Sequence, residues 1–197
     1  GGPDVGRASL PLLRATLKAQ GLDGIYIPHD DEYQNEYLPA CFERLAWATG
    51  FTGSAGSAFV FQKNAIVFVD GRYTLQVKQQ LAPKMFEVGD LVDLGPFGWL
   101  AKQTLTGQKI AYDPKLMSPD GLDKLVDAAK KAGAELVATD PNPIDIAWTD
   151  RPSEPTHAVV PHDVAYAGES SSSKRARLGK MLSDAKLDAA VITSPAS

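Results

Sequence analysis

Two stretches of this chain concentrate the side chains that could do chemistry. The first is His29-Asp30-Asp31-Glu32-Tyr33-Gln34-Asn35-Glu36-Tyr37, which gathers four carboxylates, one imidazole and two phenols. Carboxylates that converge can hold a cation, but this stretch has neither the helical nor the strand period. It reads as a loop or a short turn of helix, and a solvated or interface-facing acidic loop is the plainer expectation. The second is Gly50-Phe51-Thr52-Gly53-Ser54-Ala55-Gly56-Ser57. A glycine-rich loop can cradle phosphate at a helix N-terminus, yet the glycines here stand three apart, which is neither the dinucleotide nor the P-loop spacing. Thr52 occupies the place where a nucleophile elbow around Ser54 would need glycine. A tight backbone turn feeding a hairpin is the expectation.

Other reactive types are scattered. His29, His157 and His162 form no His-x-x-x-His pair, so no metal centre is expected from them. Cys41 has no histidine near it in sequence and reads as an inert small residue. Asp70-Gly71-Arg72-Tyr73 reads as a helix cap, a turn glycine and an anchoring arginine. No Ser/His/Asp or Cys/His arrangement emerges, and a self-sufficient enzyme is not expected from these residues.

The elements that must position these groups alternate. A helix is predicted over Leu10–Gln20, with Ser9 as N-cap, Pro11 in the first turn and Gly21 as the stop. Gly1-Gly2-Pro3 is expected to be frayed. A strand follows at Asp23–Pro28. Ala58–Phe61, a turn around Lys63-Asn64, and Ile66–Val69 read as a β-hairpin. A helix from about Arg72 to Leu81 comes next, capped by Asp70. Short strands are predicted at Phe86–Val88, Ile110–Tyr112, Leu136–Ala138 and Ile144–Trp148. Ser118-Pro119 opens a helix that stops at Gly133, with Leu122, Leu125, Val126 and Ala129 as its apolar stripe. The whole is an α/β fold, a mixed β-sheet flanked by helices.

The chain of 197 residues is 44% hydrophobic and 22% charged, the balance of a soluble globular protein. Its net charge of −4, with no basic run, argues against a nucleic-acid partner. No apolar stretch approaches the roughly 20 residues that span a bilayer, so no membrane partner is expected. A single cysteine allows no internal disulfide and is compatible with a reducing cytosol.

Residues near the C-terminus repeat the beginning. Leu13, Leu17, Leu22, Asp23 and Ile27 recur as Leu178, Leu182, Leu187, Asp188 and Ile192 at a constant offset of 165. The repeat predicts a second helix over Arg175–Lys186 and a second strand over Asp188–Ser194. Pro152, Pro155 and Pro161, then Gly168 and four serines, mark a linker between the copies. The expected organisation is residues 7–150 as one domain, 151–173 as linker, and 174–197 as the first helix and strand of a second similar domain. The chain is thereby expected to be a fragment.

Three passages carry a family resemblance: Arg44-Leu45-Ala46-Trp47-Ala48-Thr49-Gly50-Phe51-Thr52-Gly53-Ser54-Ala55-Gly56; Val69-Asp70-Gly71-Arg72-Tyr73-Thr74-Leu75-Gln76; and Asn142-Pro143-Ile144-Asp145-Ile146-Ala147-Trp148-Thr149-Asp150-Arg151-Pro152. In order and spacing they resemble the amino-terminal region of the Xaa-Pro aminopeptidases (aminopeptidase P) of three-domain, cytosolic type, within the creatinase/prolidase group. The resemblance runs from about Arg7 to Ser197. It implies two related α/β domains in tandem, followed by a catalytic domain that holds two divalent metals, usually manganese. None of that domain's metal ligands can be carried over to a residue here, so the resemblance implies no catalytic residue, cofactor or metal in this chain.

For the first domain, the resemblance implies capping of the catalytic mouth, restriction of access to short peptides with proline second, and a share of the dimer contacts. The implied partners are the protein's own C-terminal catalytic domain, a second copy and such a peptide, in the cytoplasm. The segment from Asp31 to Tyr37 is similar to an acidic and aromatic family segment, with Tyr33 standing where relatives often carry histidine. Asp31, Tyr33, Glu36, Tyr37 and Arg72 are the candidates for a substrate-side or interface role. The alternative is a non-enzymatic creatinase-like protein-interaction module, against which the missing basic character and the three motifs count.

Overall fold

The computed structural model describes residues 1–193, which divide into two compact units, Gly1–Pro155 and the residues from Thr156 onward. In the first unit the helices are α1 (Pro3–Ala19), α2 (Arg44–Thr49), α3 (Thr74–Gln80), α4 (Gly95–Leu100), α5 (Pro119–Ala132) and α6 (Pro143–Ala147). The strands are β1 (Gly24–Pro28), β2 (Gly56–Phe61), β3 (Ala65–Val69), β4 (Glu87–Asp90), β5 (Lys109–Tyr112) and β6 (Glu135–Ala138). They form one sheet in the order β4-β3-β2-β1-β5-β6. β1, β2 and β3 run antiparallel to their neighbours in that trio, while β4, β5 and β6 join in parallel. The expected mixed α/β sheet is therefore present.

Both faces of the sheet are covered, so its central strands are apolar throughout rather than alternating. Ile25, Ile27, Ala58, Val60, Val67 and Val69 point to one face and meet Leu10, Leu13 and Leu17 of α1, Val77 of α3 and Ile144 of α6. Tyr26, Phe59, Phe61, Ile66 and Phe68 point to the other and meet Leu100 of α4 and Leu125, Ala128 and Ala129 of α5. Phe59 is fully buried there, with the rings of Tyr26, Phe61, Phe68 and Trp99 within 5.0–6.4 Å of its own. Burial pushes the Tyr26 phenol up to about 12.

Several boundaries differ from the sequence reading. α1 begins at Pro3, six residues before Ser9, whose hydroxyl donates to the Val5 carbonyl (2.7 Å) instead of capping. Pro11 sits inside this helix on its exposed side, where packing of Leu10, Leu13 and Leu17 outweighs the lost hydrogen bond. The N-terminus is not frayed, since the Gly2 amide donates to the Gly50 carbonyl (2.9 Å). The stretch after Asp70 is a turn of 3-10 helix before α3 starts at Thr74. Ile144–Trp148, expected as a strand, is helical as far as Ala147, with Trp148 as the residue that ends the helix. Asn142 accepts from the Ile144 amide (2.9 Å) and Pro143 takes the first helical position, so Asn-Pro was a helix start.

The helix from Ser118 to Gly133 matches expectation at both ends, with a serine cap and a left-handed glycine stop. Its buried stripe is Leu125, Ala128, Ala129 and Ala132, while Val126 is exposed. Ser118→Ala removes the acceptor for the Gly121 amide (3.2 Å) and is expected to cost about 1 kcal/mol, read by urea unfolding.

The second unit contains α7 (Val164–Ala167), capped by Asp163, and α8 (Ser171–Asp184). The serine run expected in the linker opens α8 instead, because the Ser170 hydroxyl accepts from the Ser173 amide (3.2 Å). No strand forms over residues 188–193, and Ser194, the last residue of the expected strand, lies outside the described residues. A lone strand has no partner for its amides, so sequence periodicity could not create one.

Candidate functional site

The glycine-rich turn positions the site. Gly50 ends α2 in the left-handed region (φ 87°), and a Cβ on it would lie 2.2 Å from the Gly2 carbonyl oxygen. Gly53 lets the backbone fold against the Phe51 ring, which is fully buried and meets Tyr73 edge-on at 5.5 Å. This is the backbone turn read from the sequence, and it feeds directly into β2. It also presents Ser54, whose hydroxyl lies 2.9 Å from the Tyr73 hydroxyl and donates to the Glu36 carboxylate at 3.2 Å.

From the other side, Asp70 caps the turn after β3 by accepting from the Arg72 amide (2.9 Å). The same carboxylate holds the Arg72 guanidinium through Nε and Nη2, the latter at 2.7 Å. Their mutual hydrogen bonds hold Asp70 below its ordinary range and push Arg72 up. The guanidinium lies over the Tyr73 ring, 5.2 Å from its centre. Ser54, Arg72 and Tyr73 line a cleft of about 400 Å³ with His29, Glu36, Tyr37, Glu43 and Gln76 among its walls. His29 Nε2 donates to the Glu36 carbonyl (3.0 Å), which ties β1 to the acidic loop. Burial raises the Glu43 carboxyl above its usual value, against the opposing charge of His29.

Of the candidates from sequence, Glu36, Tyr37 and Arg72 meet in this cleft. Asp31 and Tyr33 do not line it. Asp31 is buried, and its carboxylate accepts from the Tyr33 amide (2.9 Å), the Asn35 amide (3.0 Å) and the Asn35 side chain (2.9 Å). Burial alone would raise its pKa, but those three donors hold it below the ordinary value. Asp31 shapes the loop and has little lone-pair capacity left for a ligand. Tyr33 is exposed elsewhere on the loop. Among the described residues, no three His, Cys, Asp or Glu side chains come together as metal ligands.

His29, Glu43, Ser54, Tyr73 and Gln76 are cleft residues that the sequence reading did not assign. Tyr73 stood in a noted motif, but its pairing with Ser54 joins positions 19 apart through the sheet, and no local spacing signals that.

The third motif closes on the first. Arg44 on α2 pairs in fork geometry with Asp145 on α6 (2.7 and 2.9 Å), and Arg151 reaches the same carboxylate at 2.8 Å. Arg151 also donates to the Cys41 carbonyl (2.6 Å), and both guanidinia lie about 5.5 Å from the centre of the Phe42 ring. Cys41 is buried and unpaired. Trp47 stacks on Trp148 at 5.6 Å. Thus each of the three motifs touches another.

The profile described as the creatinase/prolidase N-terminal domain matches residues 10–146, most of the chain. The chain belongs to the creatinase/prolidase N-terminal domain family. A second profile of the same description matches residues 150–197. This creatinase/prolidase domain is 35% identical over 187 residues to a "Probable Xaa-Pro aminopeptidase P" of Coccidioides posadasii, covering 93% of the chain and 29% of that relative. It is 35% identical over 177 residues to Aminopeptidase P2 of Arabidopsis thaliana, covering 88% of the chain and 25% of that protein. The chain therefore spans less than a third of the length of these relatives. The X-prolyl aminopeptidase of Caenorhabditis elegans, described as a cytosolic enzyme with a di-nuclear active site, superposes with a TM-score of 0.78 at 30% identity. That match covers 95% of this chain and 32% of the other. The N-terminal domain of the cytoplasmic peptidase PepQ of Mycobacterium tuberculosis superposes with a TM-score of 0.56 at 26% identity, covering 71% of this chain and 98% of that one.

Proposed function

We propose that this creatinase/prolidase domain is the non-catalytic amino-terminal part of a Xaa-Pro aminopeptidase, a metallopeptidase that removes the residue preceding proline. The observation that supports this reading is the cleft in which Glu36, Tyr37 and Arg72 surround one opening, on a domain whose relatives carry that enzyme's name. In the whole enzyme the cleft would face the catalytic mouth, limit entry to short peptides with proline second, and border the contact with a second copy. Residues 7–150 are the first domain in this reading, 151–173 the linker, and 174–197 the opening of a second related domain. The enzyme would be cytoplasmic, with two manganese ions in its catalytic domain.

The described residues do not fit those metals. Asp31 spends its carboxylate on loop donors, and Arg72 neutralises Asp70. No step of hydrolysis is assigned to them. What they can do is bind and orient. Arg72 is held by Asp70 and stays well exposed, so its remaining N–H edge can receive a peptide carbonyl or carboxylate with little ordering cost. Glu36 and the exposed Tyr37 ring supply acceptor and apolar surface beside it.

Two measurements test this. The 197-residue chain, incubated with a Xaa-Pro-Xaa peptide and manganese, is expected to release no N-terminal residue; robust metal-dependent release would overturn the reading. In the whole enzyme, Arg72→Ala is expected to raise KM about tenfold with a smaller change in kcat. Arg72→Lys should not restore it, because a point charge lacks the fork. An unchanged KM in both variants would remove Arg72 from the substrate side.

A further inference from the structure

The end of the sheet away from the cleft carries a pocket that the capping role does not use. Phe61 pairs with Gly24 at that end, while Ser57 pairs with Pro28 toward the cleft. The pocket has a volume of about 290 Å³, at the small end of the range for ligand sites. Four of its nine wall residues are carboxamides: Gln62, Asn64, Gln103 and Gln108. Trp99 forms part of the apolar wall, half-buried and held in place by its stack on Phe59 (5.8 Å). Asp23 and Lys63 are the only charged residues of the wall, and their charges cancel.

Several of these polar groups are already fixed by the fold. The Gln62 Nε2 donates to the carbonyls of Arg14 (3.2 Å) and Leu22 (3.4 Å), which leaves its Oε1 as the free acceptor. The Gln103 Nε2 donates to the Trp99 carbonyl (3.1 Å), and one Asp23 oxygen accepts from the Lys109 amide (2.8 Å). Each of the three therefore keeps an oxygen in a set direction. Asn64 and Gln108 add N–H donors and an acceptor apiece. Groups held this way lose little freedom when a ligand binds.

We propose that this pocket binds the ring of a neutral sugar. A hydroxyl both donates and accepts, so neighbouring hydroxyls on one ring answer a wall of carboxamides and one carboxylate. A purely apolar ligand would leave those groups unpaired. The C–H face of a pyranose supplies the apolar surface that the Trp99 indole can cover. A charged ligand would meet a like charge as well as an opposite one, so a neutral ligand fits the wall better. The site is independent of the cleft's role: a sugar held here leaves the substrate-side opening free.

The test is a titration of the isotope-labelled 197-residue chain, followed by nuclear magnetic resonance. Glucose, galactose, mannose and N-acetylglucosamine are each added, with glycerol and cyclohexanol as controls. Glycerol offers hydroxyls without a ring, and cyclohexanol a ring with a single hydroxyl. At least one of the sugars is expected to shift the Trp99 indole resonance, with an affinity near the millimolar range and about tenfold tighter than either control. Trp47 and Trp148, which pack on the opposite face of the sheet, should not move. The double variant Asn64→Ala, Gln108→Ala, checked for an unchanged melting curve, is expected to weaken binding of that sugar about tenfold. If the variant fails to fold, backbone amides of the unaltered protein decide. Those of Gln62, Asn64, Gln103 and Gln108 should move with Trp99, while those of Glu36, Tyr37 and Arg72 in the cleft should stay. No shift with any of the four sugars, a control that binds as tightly as the sugar, shifts that spare Trp99, or a folded double variant of unchanged affinity would overturn the proposal.

Discussion

Asp145→Ala is expected to lower the stability of the first unit by about 3 kcal/mol, roughly a fifth to three-fifths of the whole stability of a typical domain. The physical reason is that one carboxylate serves two cations. Arg44 is nearly excluded from water, with a side chain 5% exposed, and loses both hydrogen bonds of its fork when Asp145 is removed. Arg44 Nη1 is already buried without a partner, so the variant leaves a charged group with no ligand for any of its three nitrogens. Arg151 keeps its bond to the Cys41 carbonyl and about a fifth of its surface, which holds the cost near the lower end for broken buried pairs. Urea unfolding reads the change as a fall in midpoint at constant slope. The double variant Arg44→Met, Asp145→Leu should recover much of the loss, since matched apolar groups replace a buried pair at little cost. A single variant within about 0.5 kcal/mol of the parent would show that the network does not hold α2 to α6.

The second large effect separates the two copies of the repeat. Leu13→Ala is expected to cost about 2–5 kcal/mol, because Leu13 is completely buried between α1 and the sheet and its removal leaves a cavity. Leu178→Ala, at the repeat-equivalent position on α8, should change the unfolding of the same chain by less than about 0.5 kcal/mol. Leu178 is 40% exposed, and none of α8 is fully buried. Comparing the two urea curves tests whether equivalence in sequence has become equivalence in packing. Similar losses would mean that α8 is as well covered as α1.

The contrast between these leucines shows which parts of the fold were legible. Where a signal is local, it was read well: Ser118-Pro119 and Gly133 bound α5, and the apolar runs around Lys63-Asn64 make the hairpin, closed by the Phe61 amide on the Asn64 carbonyl. Each of these is settled by backbone chemistry within a few residues. Where tertiary packing decides, the reading missed. Ser9 resembled a cap but lies inside a longer helix, because Pro3 starts it and the sheet supports it. Ile144–Trp148 carried apolar residues suited to a strand, yet its hydrogen-bonding role went to an Asn-Pro helix start locked by Arg44. The four carboxylates of residues 30–36 looked like one cluster. Folding sends them to different tasks, with Asp31 bracing the loop and Glu36 joining the cleft.

The sequence by itself determined that this chain is an α/β domain with a repeated helix near its end, and its three motifs were enough to point to the creatinase/prolidase N-terminal domain family. Composition, turn chemistry and motif order survive as linear information, because each depends on residue type and short spacing. Only the tertiary structure decided why those motifs occur together. Ser54 meets Tyr73, and Arg44 meets Asp145 across 101 positions, through hydrogen bonds that exist only once the sheet has closed. It also decided that Glu36, Tyr37 and Arg72 share a cleft while Asp31 and Tyr33 stand outside it. Which side chains face one opening depends on strand register and helix placement, and no spacing along the chain encodes that directly.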